Sequence, residues 1–162
     1  MKWLFATLLF LPLFAGAQAK VDYKKSGASI PEFTIVKQDG KTITNKALKP
    51  GKPVMLMIFS PDCEHCMQMI DTMKTLTAKM EKTQFILVTE ARNKEHLKDF
   101  IEKKELDKHP AFREVGWDKG NLIFYTYNFQ MLPQVNVYDA RHKLMRTFSG
   151  AFSLDSLKQY ME

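Results

Sequence analysis

The stretch Val54-Met55-Leu56-Met57-Ile58-Phe59-Ser60-Pro61-Asp62-Cys63-Glu64-His65-Cys66 decides the fold. Its first six residues are continuously apolar, the pattern of a strand buried on both faces. After it, Met67, Ile70, Met73, Leu76, Thr77 and Met80 recur at helical spacing and predict a helix over 67–82. Between strand and helix lie Cys63 and Cys66, the only 2 cysteines in the chain. Two cysteines three positions apart cannot staple distant segments; they form a local disulfide or a local dithiol. A C-x-x-C at a strand-to-helix turn is a redox arrangement. The first sulfur sits at a helix N-terminus, where unpaired N–H groups and the macrodipole favour a thiolate. The second thiol is close enough to resolve a mixed disulfide. Half a zinc site is the competing reading, but zinc takes four ligands and the chain has no second C-x-x-C and no H-x3-H. No metal and no cofactor are expected.

The direction in which a dithiol works depends on its compartment. Residues 1–19 read as a secretory signal peptide: Lys2 is the charged start, Trp3 to Phe14 the apolar stretch, and Ala15-Gly16-Ala17 and Ala17-Gln18-Ala19 offer small-x-small cleavage sites. The apolar stretch is short for a bilayer span, although a retained N-terminal anchor is the alternative. The expected product is a soluble periplasmic protein of residues 20–162, with no stable membrane insertion after cleavage. Losing Lys2 takes its net charge from +6 to +5. The basic residues, among them Lys24-Lys25, Lys46, Lys49, Lys52 and Lys103-Lys104, are scattered and not interleaved with aromatics. A solvated surface accounts for them, and nucleic acid is not an expected partner.

Outward from the cysteines the chain alternates strand and helix. A loose polar lead-in over 20–31, ending at Pro31, precedes two short strands, 33–36 and 41–44, around the hairpin signal Gln38-Asp39-Gly40. A loop over 49–53 leads to the strand 54–59, and Phe85-Ile86-Leu87-Val88 marks a second central strand over 84–89. Asn93 is placed to cap a helix containing Leu97, Phe100 and Ile101. Residues 107–131 read as irregular and aromatic. Strands at 135–138 and 143–148 flank the turn 139–142, and Ser153 caps a last helix over 154–161. The succession predicts an α/β fold, a central mixed sheet flanked by helices.

Ile30-Pro31-Glu32-Phe33-Thr34, Asp39-Gly40-Lys41, Phe59 to Cys66, Leu132-Pro133-Gln134 and Phe148-Ser149-Gly150 together resemble the thioredoxin-like TlpA/ResA family of exported thiol–disulfide oxidoreductases, from about residue 29 to 160. The resemblance implies a thioredoxin-like fold with partners among the protein thiols and disulfides of the cell envelope, plus an upstream redox donor or acceptor. It also implies a cis peptide bond before Pro133, with Leu132 pairing to substrate backbone. Cis proline is costly enough elsewhere to be purposeful; an ordinary trans loop proline is the alternative.

Three positions depart from that pattern. Asp62 replaces the tryptophan that thioredoxins place before the first cysteine. Met57 and Met69 stand where thioredoxins and ResA-type proteins, respectively, carry a carboxylate for proton transfer to the second thiol. Asp62 or Glu64 are the available substitutes. Between the cysteines, His65 matches the histidine of the DsbA oxidases and stabilises a Cys63 thiolate, whereas Glu64 matches ResA and opposes it. The expected potential is roughly −250 to −180 mV.

Weaker signals have plainer readings. The 10 methionines, with Met67 and Met69 just past the cysteines, invite a Cu(I) metallochaperone, but core filling explains their spacing. Ser60 resembles part of the peroxiredoxin P-x-x-x-T/S-x-x-C signature, yet Leu56 occupies the proline position. His96, His109 and His142 read as surface residues. The run Phe124 to Phe129 either lines a substrate groove or packs a short helix. The reading carried forward is a thiol–disulfide oxidoreductase with Cys63, Cys66, His65 and Glu64 at the reacting site and Leu132 and Pro133 against substrate. A Cu(I) metallochaperone and a peroxiredoxin-like peroxidase are the rivals.

Overall fold

The computed structural model describes residues 21–76 and 82–160. The predicted signal peptide, and Thr77 and Met80 of the predicted helix, lie outside them. Thr34–Lys37 (β1) and Thr42–Thr44 (β2) form the expected hairpin, with Val36 opposite Thr42. Gly40 takes a φ of +79° in its turn, where a side chain would be strained. Val54–Ile58 (β3) and Gln84–Glu90 (β4) run parallel, Leu56 opposite Ile86. Glu114–Asp118 (β5), Gln134–Tyr138 (β6) and Leu144–Ser149 (β7) complete a seven-stranded mixed sheet of order β2-β1-β5-β4-β3-β6-β7. The helices are α1 (Glu64–Leu76), α2 (Lys94–Lys103), α3 (Leu122–Tyr127) and α4 (Leu154–Lys158). None of the described helices is long and apolar enough to cross a membrane.

Every residue of β3 is buried, and its two faces serve two separate cores. Met55, Met57 and Phe59 point with Phe85 and Leu87 toward Cys66, Ile70 and Met73 of α1 and Leu97 and Phe100 of α2. Val54, Leu56 and Ile58 point with Ile86 and Val88 toward Phe33, Ile35 and the α3 residues Ile123 and Tyr127. A run that looks undifferentiated in sequence is therefore sorted by the two-residue period of the strand. Burying a side chain of this size contributes about 1.5–3 kcal/mol. The Tyr127 and Tyr138 hydroxyls hydrogen-bond to each other inside the second core, and burial pushes both phenols above their ordinary range.

Four expectations need correction. Residues 107–131 are not irregular: they hold β5, inserted between β1 and β4, and α3. Gly116 disguises β5 as a loop. It is glycine because a Cβ there would run into the Val36 carbonyl and sit 2.5 Å from Ile35 Cγ2. Asn93 stands at the N-cap of α2 without capping it; its Nδ2 donates to Thr89 Oγ1 at 2.9 Å instead. The lead-in is pinned at its end, since Gly27 N–H donates to the Leu144 carbonyl and Leu144 N–H to that of Ala28, both at 2.8 Å. Finally, His109 stacks on Phe112 with ring centroids 5.1 Å apart, and His142 has a buried Nε2, so neither is simply a surface residue. Ser153 does cap α4, accepting from Asp155 N–H at 3.2 Å.

Candidate active site

β3 ends at Ile58, and the chain turns through Ser60-Pro61-Asp62 into α1, which opens at Glu64, three residues earlier than its apolar spacing predicts. Cys63 is thereby the N-cap: its carbonyl accepts the Met67 N–H at 3.0 Å, and its Sγ accepts the Cys66 N–H at 3.1 Å. A sulfur in that position receives a helix donor that otherwise has no partner, which favours the thiolate over the thiol. Cys63 and Cys66 are joined in a disulfide, their Cα atoms 5.2 Å apart. The two sulfurs differ in access: Cys63 is partly exposed, whereas Cys66 is fully buried in the methionine-rich core.

The intervening pair faces water. Glu64 and His65 are both exposed in the first turn of α1, and Glu64 Oε1 accepts from Gln68 Nε2 at 3.3 Å, one turn on. Asp62 is exposed as well. Met57 is fully buried and Met69 nearly so, both in the core that encloses Cys66. The surroundings of the second sulfur at these two positions are therefore apolar, which disfavours its ionisation. Methionine here fills space between sheet and helix.

Leu132-Pro133 is a cis peptide bond. Gln134 pairs with Ile58 across β3 and β6, so Pro133 stands level with Phe59, at the strand end that leads to Cys63. Leu132 is partly exposed and packs, like Cys63, against the first core. The Pro133 carbonyl accepts the Gly150 N–H at 2.9 Å, and Met131, 59% exposed, stands just ahead of the bend.

Sequence reasoning overlooked what lies behind this proline. Gln134 and Asn136 are buried polar residues. Gln134 Nε2 donates to Asn136 Oδ1 at 3.1 Å, and Thr147 Oγ1 donates to the same oxygen at 2.9 Å. The signal was present as two amides at period two in an otherwise apolar strand, opposite a threonine. Among the described residues no group of three or more histidine, cysteine, aspartate or glutamate side chains is arranged to hold a metal ion. Leu56 pairs with Ile86 and Asn136 inside the sheet. A proline at this position, as the peroxiredoxin signature asks, would remove a ladder donor from a central strand.

A mixed sheet flanked by helices, with a C-x-x-C disulfide at the first turn of α1 and a cis proline at the same end of the sheet, defines the thioredoxin-like class. Within it the chain belongs to the AhpC/TSA family, whose model matches residues 26–148. In overall structure it is similar to the thioredoxin domain of a thiol-disulfide oxidoreductase from Bacteroides vulgatus, with a TM-score of 0.69 and 18% identity over 85% of this chain and 99% of that one. It is also similar to a secreted Mycobacterium tuberculosis disulfide oxidoreductase homologous to E. coli DsbE, with a TM-score of 0.65 and 20% identity over 80% and 93% of the two chains. In sequence it is 29% identical over 82 residues to the methylamine utilization protein MauD of Methylobacillus flagellatus, which is 50% of this chain and 39% of MauD. The match thus spans about two fifths of that relative's length.

Proposed function

We propose that this protein is a thiol–disulfide oxidoreductase of the cell envelope, working in the periplasm on the cysteines of other proteins. The observation that carries this reading is the asymmetry of its one disulfide: Cys63 reachable at the helix start, Cys66 sealed beneath it. In the reducing direction the Cys63 thiolate attacks a partner disulfide. A bond forms between Cys63 Sγ and one partner sulfur, and the other partner sulfur leaves as a thiolate. Cys66, losing its proton, then attacks Cys63 Sγ; the Cys63–Cys66 disulfide closes and the second partner thiolate departs. Two electrons pass to the partner, and the reverse sequence oxidises it. Leu132 and Pro133 align the partner chain, and His65 and Glu64 tune the stability of the Cys63 thiolate from opposite sides. An upstream redox protein resets the pair.

The Cys66 N–H that donates to Cys63 Sγ in the disulfide is placed to donate to the Cys63 thiolate once the bond opens. Reduction of insulin by the purified protein with dithiothreitol as electron source tests the activity. Wild type accelerates precipitation of the insulin B chain, Cys63→Ala abolishes the acceleration, and an unaltered rate in Cys63→Ala would remove the proposal. Export is tested by intact mass of the protein from the envelope fraction, with a mature N-terminus expected at Gln18 or Lys20. A full-length cytoplasmic species would remove the periplasmic assignment.

A further inference from the structure

Five basic side chains that are scattered along the sequence converge on one cleft at the far pole of the sheet from the disulfide. The cleft has a volume of about 730 Å3, and Lys37, Lys41, Lys49, Lys52 and Arg113 line it against one carboxylate, Glu114. Its position follows from strand direction: β3 and β4 begin here, at Val54 and Gln84, while the cysteines follow the other end of β3. The inner wall is apolar, with buried Ile43, Leu48 and Phe85.

The rim is held by a defined set of bonds. Gln84 Oε1 accepts the Lys49 N–H at 2.6 Å, and Gln84 Nε2 donates to the carbonyls of Lys49 at 3.1 Å and Lys52 at 3.3 Å. One amide at the start of β4 thus fixes the loop that carries two of the lysines. Lys37 is paired with Glu114 at 3.3 Å and Lys41 with Asp39 at 3.0 Å. Among the described residues, Lys49, Lys52 and Arg113 enter no ion pair, and the buried Oγ1 of Thr83, which also lines the cleft, has no hydrogen-bond partner. Like charges gathered without counter-ions repel one another and gain nothing for the fold. An apolar floor with a few convergent polar groups, in a cavity of this size, is the form of a small-molecule site.

We propose that this cleft binds an organic anion of small-molecule size. Its apolar body rests on Ile43, Leu48 and Phe85, and its carboxylate, sulfonate or phosphate groups meet Lys49, Lys52 and Arg113, with Thr83 as an added hydroxyl donor. The cleft's volume of about 730 Å3 lies within the roughly 300–1,000 Å3 of small-molecule sites. The site goes beyond the redox reading and does not depend on it, because binding is read without any thiol chemistry.

Titration of the oxidised protein with 1-anilinonaphthalene-8-sulfonate, followed by amide chemical shifts, tests this. Saturable one-to-one binding is expected, with shifts confined to residues 41–52, 83–86 and 109–114 and none at Cys63. The double variant Lys52→Glu/Arg113→Glu should bind at least tenfold more weakly with an unchanged melting temperature. Lys49→Gln should weaken binding severalfold and serves if the double variant does not fold. Shifts centred on the exposed Tyr125 and Met131, or an affinity indifferent to the charge changes, would show mere adsorption to apolar surface and overturn the proposal. A glutamate-rich peptide that displaced the dye at lower concentration than naphthalene disulfonate would make the occupant a peptide and overturn it equally.

Discussion

Cys63 and Cys66 sit three residues apart and differ in what decides reactivity: Cys63 is partly exposed and its sulfur accepts a helix N–H, whereas Cys66 is buried in the core that also holds Met57, Met69 and Phe100. Alkylation of the reduced protein across pH, read by peptide mass, should therefore modify Cys63 first, with the lower apparent pKa; faster reaction at Cys66 would reverse the assigned roles. His65, exposed one residue past the start of α1, is predicted to favour the thiolate. His65→Ala should raise the Cys63 pKa by about one unit, about 1.4 kcal/mol. A histidine in that role stabilises the reduced form, so its loss should make the potential more negative by about 30 mV. An unchanged potential would reduce His65 to a turn residue. At this scale the sequence was readily legible, because helix-start chemistry depends on neighbours in the chain. Gln134 and Asn136 were missed because their partner Thr147 comes from another strand.

At the level of elements, the hairpin, β3, β4, β6 and β7 could be anticipated because hydrophobic runs and turn signals marked them. β5 could not. Its Gly116 reads locally as a break, and its need for glycine arises only from the close approach of β1. Gly116→Ala should accordingly destabilise the protein by roughly 1–3 kcal/mol in urea unfolding, since the obstructing Val36 carbonyl is backbone and cannot swing away. A neutral substitution would mean that β1 and β5 separate easily. β3 and α1 likewise bring Met57 and Met69 into the core that holds the second cysteine, where a carboxylate would assist its deprotonation. Met57→Asp should speed insulin reduction while lowering the melting temperature, because it places a carboxyl in a fully buried position. A lower melting temperature with no gain in rate would show that proton transfer to Cys66 does not limit turnover.

Over the whole molecule, charge and burial act together in ways the linear chain conceals. Lysines that look like scattered solvation from 37 to 52 meet Arg113 in one cleft once the sheet is assembled. Asp118, at the end of β5, is buried; that burial pushes its carboxyl above the ordinary 3.8, and the N–H groups of Ile123, Gly120 and Phe124 offset part of the shift. A raised folded pKa means that the native state binds the proton more tightly than the unfolded chain. The stabilisation from this group is full below the unfolded value and is lost as pH rises through the folded one. Asp118→Asn, which keeps an oxygen for the Ile123 N–H, should gain stability relative to wild type between pH 4 and pH 7 in urea unfolding; a constant difference across that range would contradict the raised pKa. The central claim, that one exposed sulfur forms the bond to a partner protein and one buried sulfur releases it, is tested most directly by trapping. Reduced Cys66→Ala protein, mixed with envelope extract and recovered, should carry dithiothreitol-labile adducts on Cys63. Cys63→Ala/Cys66→Ala should carry none, and wild type few. Equal recovery of adducts from the double variant, or no adduct on Cys63 in the single one, would contradict the account.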